Sequence, residues 1–266
     1  MALFGGIYSN YLALQAALAD ARRRGADRII CLGDLGAFGP HPNRVFPLLW
    51  EANVECLQGN YDHSIGHRLD DCRCGYTDPR DNHFAKLSYD YTAENTGEAE
   101  RAWLRSLPSQ LRFEIDGVRA LLFHGSPRRV NEFLWESTTS TAFLRRLADE
   151  HDADLLCGTH TGLHWQRELP GGRRFVNVGV LGRPANDGRT NVWYAFLRTG
   201  RDARAGESEH QRVTVDFIPI AYNHEALAAE MRAECLPEEF VETILTGWWT
   251  TCLEILPGRE RRRGRY

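Results

Sequence analysis

The chain has 266 residues and a formal charge of −4, and it is 42% hydrophobic and 26% charged, which excludes a disordered chain and gives no global argument for nucleic acid or an anionic membrane surface. No apolar run approaches the ~20 residues that span a bilayer, and Met1-Ala2-Leu3-Phe4 lacks the charged and long apolar regions of a signal peptide. Seven cysteines are too sparse for a disulfide scaffold; Cys31, Cys56 and Cys157 sit inside apolar runs as small hydrophobes, so the expected setting is a reducing cytoplasm.

In chain order, residues 2–6 read as a short strand that breaks at Gly5-Gly6. Ser9 or Asn10 caps a helix to about Arg24, with Leu12, Leu14 and Leu18 inward and Gly25 as its stop. Ile29-Ile30-Cys31-Leu32 is a buried strand that leads into Gly33-Asp34. Pro40 and Pro42 mark a loop before a helix near residues 43–53, and Val54-Glu55-Cys56-Leu57 is a second such strand, leading into Gly59-Asn60. Residues 65–95, with Cys72-Arg73-Cys74 and a Thr77-Asp78-Pro79 turn, read as a structured insertion over the strand ends. One residue between Cys72 and Cys74 is tight for zinc, so both are expected to pack within it. A helix over Glu98–Ser106 precedes a hairpin at Asp116-Gly117.

Two further buried runs follow: Ala120-Leu121-Leu122-Phe123 into His124-Gly125, and Asp154-Leu155-Leu156-Cys157 into Gly158-Thr159-His160. Strands at Arg174–Val178, Val192–Leu197 and Val213–Ile220, with turns at Pro184–Gly188 and Thr199-Gly200-Arg201, suit a second sheet packed on the first. A helix from about His224 to Glu234, and another that starts at Pro237 and carries Trp248-Trp249, complete a C-terminal extension over residues 222–266. The last residues, from Arg259, form a basic tail read as solvated. Strand alternating with helix argues for α/β architecture in a single domain over residues 1–266. Ligand sites in such folds collect at the carboxyl ends of strands, so Asp34, Asn60, His124 and His160 are expected to meet at one sheet edge as a metal site.

The ordered motifs Gly33-Asp34-Leu35-Gly36, Gly59-Asn60-Tyr61-Asp62, His124-Gly125-Ser126-Pro127 and Gly158-Thr159-His160-Thr161 resemble those of the calcineurin-like metallophosphoesterases, over about residues 3–197. The resemblance implies a four-layer α/β/β/α sandwich with metal at the strand ends and hydrolysis of phosphate esters. It also shows departures. Where the family opens with Asp-x-His-Gly-Asn, this chain has Gly6-Ile7-Tyr8-Ser9-Asn10. Its last motif lacks one histidine of Gly-His-x-His, and Tyr61 replaces a histidine that serves as general acid. Aligned through His160, with Gly162 at the second histidine, the losses empty one ion's ligand set and leave Asp34, Asn60, His124 and His160 for the other. Two other alignments stay open: Thr159 and Thr161 in the histidine positions, or His160 as the second histidine, which would break the sorting.

Such a centre calls for a divalent transition metal, Mn²⁺ first, with Fe²⁺ or Zn²⁺ as alternatives. Tyr8, Asp62 and His63 are the candidate catalytic groups: Tyr8 as a hydrogen-bond donor to phosphate or a phenolate ligand, with filling of the vacated volume as the competing role, Asp62 to orient water, His63 as acid or base. Arg128 and Arg129 are candidates to fork onto a phosphate, with a structural ion pair as the competing role. The leading expectation is a mononuclear phosphatase or phosphodiesterase acting on a phosphorylated small molecule or phosphoprotein. A catalytically impaired binding regulator stands second, and an interaction protein using Trp248, Trp249, Leu253 and Ile255 third.

Overall fold

A computed structural model describes residues 1–199 and 213–262. The first sheet has the order β10-β9-β1-β2-β3, from β1 (Ala2–Phe4), β2 (Ile29–Cys31), β3 (Glu55–Cys56), β9 (Val192–Thr199) and β10 (Val213–Ile220). The second has the order β4-β5-β6-β8-β7, from β4 (Gln110–Ile115), β5 (Val118–Phe123), β6 (Leu155–Gly158), β7 (His164–Leu169) and β8 (Arg173–Val178). β1, β2 and β3 pair in parallel, as do β5, β6 and β8.

The apolar runs are continuous because both faces of each strand are buried. Leu3, Ile30, Ala120, Leu122, Leu155 and Cys157 point between the sheets and form one core. Their neighbours Phe4, Ile29 and Cys31 face the opposite way, onto α1 (Tyr11–Arg23) and its companions. Leu121, Phe123 and Leu156 face α6 (Thr141–Glu150) across a third cluster. Helix, sheet, sheet and helix thus form four layers. Asn10 caps α1, its side chain accepting the Ala13 N–H at 3.0 Å.

One buried polar contact ties α1 to the first sheet. Tyr194 of β9 donates its hydroxyl to Asp20 at 2.7 Å, while Arg24 reaches the same carboxylate at 2.6 Å. Tyr194→Phe is expected to cost about 1–2 kcal/mol, read as a lower urea midpoint at unchanged slope.

Several expectations need correction. The late strands do not make a sheet of their own: β8 joins the second sheet, while β9 and β10 extend the first by antiparallel pairing beside β1. Asp34 and Asn60 therefore follow strands of one sheet, and His124 and His160 follow strands of the other, so the cluster spans the junction and not one sheet edge. Cys72 and Cys74 are joined in a disulfide, beyond the packing role expected of them. Trp248 and Trp249 lie past the end of α8 (Glu238–Thr246), because Gly247 takes a left-handed φ of 73° and stops the helix. Trp249 is buried, which takes it out of any contact surface.

The insertion consists of the end of α3 (Asn60–His67), the Cys72–Cys74 loop and α4 (Pro79–Glu94), and α5 spans Glu98–Ser106. The expected turn at Gly200-Arg201 and the tail beyond Arg262 lie outside the described residues. Within them, no helix is long and apolar enough to cross a membrane.

Candidate metal centre

Asp34 follows β2 in a left-handed conformation (φ 61°), and His160 follows β6 in another (φ 66°); non-glycine residues held this way concentrate at functional sites. Asn60 opens α3 directly after Gly59. Only glycine fits there, since a Cβ on Gly59 would stand 2.2 Å from an Asp34 carboxylate oxygen. That close approach brings the two loops of the first sheet together.

His124, at the end of β5, fixes the chemistry of the cluster. Its Nδ1 lies 2.7 Å from the Leu32 carbonyl, which can only accept, so Nδ1 carries the hydrogen and Nε2 faces the cluster. Nε2 lies 3.2 Å from Asp34 Oδ2 and 3.1 Å from His160 Nδ1. One potential ligand atom from each of Asp34, His124 and His160 falls within 4.8 Å of the others. Asp34 Oδ1 accepts the Tyr61 N–H at 3.1 Å. Asn60 donates its amide to the Cys72 carbonyl at 2.9 Å, which leaves its buried Oδ1 without a hydrogen-bond partner.

The ionisation pattern follows from crowding three titratable groups out of water. Burial opposes charge on His124, but the Asp34 carboxylate outweighs it and raises the imidazole above its ordinary range. Burial and then the His124 charge push His160 down to about 3. Burial also opposes charge on Asp34, and His124 more than compensates, holding its carboxyl low.

Asp62 and the remaining sequence candidates are placed as follows. Asp62 is 1% exposed, and its oxygens accept the backbone N–H groups of Asp34 (2.7 Å), Gly59 (2.8 Å) and Leu35 (3.0 Å). It clamps the Asp34 loop to the start of α3. Burial, then the Asp34 charge, raise its carboxyl to about 6. Tyr8 lines a cavity of about 50 Å³ together with Asp34, Tyr61, Tyr76 and His160. Its ring occupies space that side chains at Gly6 and Gly182 would need, at 2.4 and 2.5 Å from their would-be Cβ atoms. His63 lies outside that lining, its ring beside Gln58 Oε1 (3.3 Å) and His67. Arg128 and Arg129 are exposed and also outside it; Arg128 pairs with Glu132 at 2.6 Å. The hydroxyls of Thr159 and Thr161 turn to the Gly179 and Leu163 carbonyls, leaving His160 as the residue of its loop that joins the cluster.

The sequence reading missed Arg183. It lies in the loop after β8, is 6% exposed, and lines the same cavity as Asp34 and His160. Its guanidinium stacks 3.5 Å above the Trp249 ring.

A sequence profile described as the calcineurin-like phosphoesterase superfamily domain matches residues 6–201. The chain belongs to that superfamily. Protein MJ0912 of Methanocaldococcus jannaschii is 28% identical over 263 residues, covering 93% of this chain and 98% of its own. Among solved structures, a metallophosphoesterase from Sphaerobacter thermophilus superposes with a TM-score of 0.67 at 25% identity, over 92% of this chain and 98% of its own. PH1004 from Pyrococcus horikoshii OT3 superposes with a TM-score of 0.73 at 21% identity, over 94% and 99%. The fold is thus that of the calcineurin-like phosphoesterases, and the cluster of Asp34, His124 and His160 is its candidate metal triad.

Proposed function

We propose that this calcineurin-like protein is a metal-dependent phosphoric ester hydrolase, with a single ion held by Asp34, Asn60, His124 and His160. The observation that carries the reading is one buried cluster of a carboxylate and two imidazoles, with His124 anchored through its outer nitrogen to a carbonyl, as metal-ligating histidines are. The donor set fits an ion: His124 Nε2 presents its lone pair to the cluster, and Asn60 Oδ1 is buried without a partner. Two imidazoles, a carboxylate and an amide oxygen suit Mn²⁺, Fe²⁺ or Zn²⁺. When bound, such an ion supplies Lewis-acid polarisation of a phosphoryl oxygen and a lowered pKa for bound water.

The chain's own residues do the rest. Asp62, with both oxygens taken by backbone donors, positions Asp34 and Asn60; Tyr8 and Tyr61 line the cavity. A second ion finds no ligand at Gly6 or Gly162, which supports a mononuclear centre. The cavity's size suits a phosphoryl group, with the remainder of a phosphorylated metabolite or phosphoprotein outside. The absence of a ligand set for a second ion among the described residues favours, as the second reading, a regulator that binds phosphate without turnover.

The test is metal content of protein reconstituted with Mn²⁺, together with hydrolysis of a panel of phosphomonoesters and phosphodiesters. One ion per chain and metal-dependent turnover are expected; a retained ion without turnover selects the regulator. Calorimetric Mn²⁺ titrations should show pH linkage. Below the raised pKa of His124 the ion must displace a proton, so affinity weakens about tenfold per pH unit as pH falls and levels off above it. A pH-independent affinity would remove His124 from the ligand set.

A further inference from the structure

Arg183 is a buried cation without a counter-ion. It makes no hydrogen bond or ion pair among the described residues, and its Nε is fully buried and unpartnered. Its visible contacts are with aromatic faces: Trp249 at 3.5 Å, and Tyr8 and Phe38 each at 5.8 Å from the guanidinium carbon. Asp34, the one carboxylate lining the cavity, is committed to His124 and to the Tyr61 N–H. A guanidinium buried in this way is costly unless an anion arrives to pair with it. Its planar fork matches the oxygens of a phosphoryl group, and the aromatic platform fixes that fork in advance.

The surroundings leave no room for ligand side chains beside the guanidinium. A Cβ at Gly162 would stand 3.5 Å from an Arg183 terminal nitrogen and 2.9 Å from the Trp249 ring, so no ligand side chain fits there. A Cβ at Gly6 would meet the Tyr8 ring, which lies under the same guanidinium.

We propose that Arg183 is the phosphoryl-binding residue of this site, its fixed charge standing where a second metal ion would otherwise neutralise the phosphoryl oxygens. The inference rests on the hydrolase reading for the identity of the anion, and it makes Arg183, in place of Arg128 or Arg129, the arginine that touches substrate.

The experiment titrates inorganic phosphate into Mn²⁺-reconstituted wild-type, Arg183→Gln and Arg183→Lys proteins by calorimetry, with ion content measured on each sample and folding checked by near-ultraviolet circular dichroism. Wild-type protein is expected to hold one ion and bind phosphate. Arg183→Gln should keep the ion and lose about 30-fold in phosphate affinity, with partial recovery in Arg183→Lys. Unchanged phosphate affinity in Arg183→Gln at unchanged ion content overturns the proposal and leaves the hydrolase reading standing. Phosphate binding that depends on Arg183 in protein that takes up no ion keeps the proposal and sinks the metal centre. Wild-type protein that binds no phosphate overturns it outright. Should Arg183→Gln fail to fold, the ion count of the wild type decides: one supports the substitution of guanidinium for metal, two overturns it.

Discussion

Replacing His124 with alanine is expected to strip the ion from the protein and lower phosphoester turnover by about 10³-fold or more. The size of the effect follows from what the ring does. Its Nδ1–H holds the Leu32 carbonyl while Nε2 faces both Asp34 and His160, so its removal deletes one ligand and loosens the placement of two others. Loss of a hydrogen-bond partner behind a ligand alone weakens metal affinity by about 10–100-fold, and loss of the ligand itself exceeds that. Elemental analysis and steady-state hydrolysis on the same preparation read the outcome; turnover preserved in a metal-free His124→Ala protein would reject the mechanism. His63→Ala is the natural control. Its ring is occupied with Gln58 and His67, and ion content should not change.

The second large effect belongs to Asp62. Asp62→Ala leaves three buried backbone N–H groups, those of Asp34, Leu35 and Gly59, without their acceptor, an expected loss of about 3–5 kcal/mol in chemical denaturation. Asp62→Asn retains one acceptor oxygen and should fall between alanine and wild type. Ion content in Asp62→Asn should drop before fold is lost, because the clamp sets the distance between the Asp34 and Asn60 loops. The pH dependence has a definite sign. With its carboxyl raised to about 6 by burial and Asp34, Asp62 contributes stability at low pH that is lost as pH rises from about 4 through 6. Wild type should therefore lose ground against Asp62→Asn across that window, and a parallel pair of stability curves would contradict the assignment.

The buried strands were legible because their side chains are apolar on both faces, and their polar stops fell at chain reversals that fold geometry places together. The Asn10 cap and the Asp116-Gly117 hairpin were legible for local reasons, a side-chain acceptor at a helix start and a turn dipeptide. Sheet membership of β9 and β10 was not, since their alternation is the same whichever sheet they join and the partner is chosen by the crossover. Gly247 did signal the helix stop before Trp248, and the aromatic pair obscured it. Arg183 was invisible for a different reason. Arginine between Gly182 and Pro184 reads as an exposed turn, and its burial is created by Trp249, a residue remote in sequence whose indole N–H donates to the Pro184 carbonyl at 2.6 Å. The Cys72–Cys74 bond, likewise, depends on a loop conformation that spacing alone does not encode.

The match to the superfamily stops at residue 201, yet Phe240 and Cys252 form part of the cavity wall and Trp249 supports its arginine. The span of the family profile and that of the cavity wall therefore have different borders. A fragment cut at residue 201, where the profile match ends, would keep all four candidate ligands and lose their insulation: solvent would reach the guanidinium, raise the local dielectric and weaken its pull on an anion. The late segment is in this sense an electrical sheath closed over the phosphoesterase scaffold. Relatives that share the scaffold but differ in that sheath are expected to hold the same kind of ion and to differ in the anions they retain.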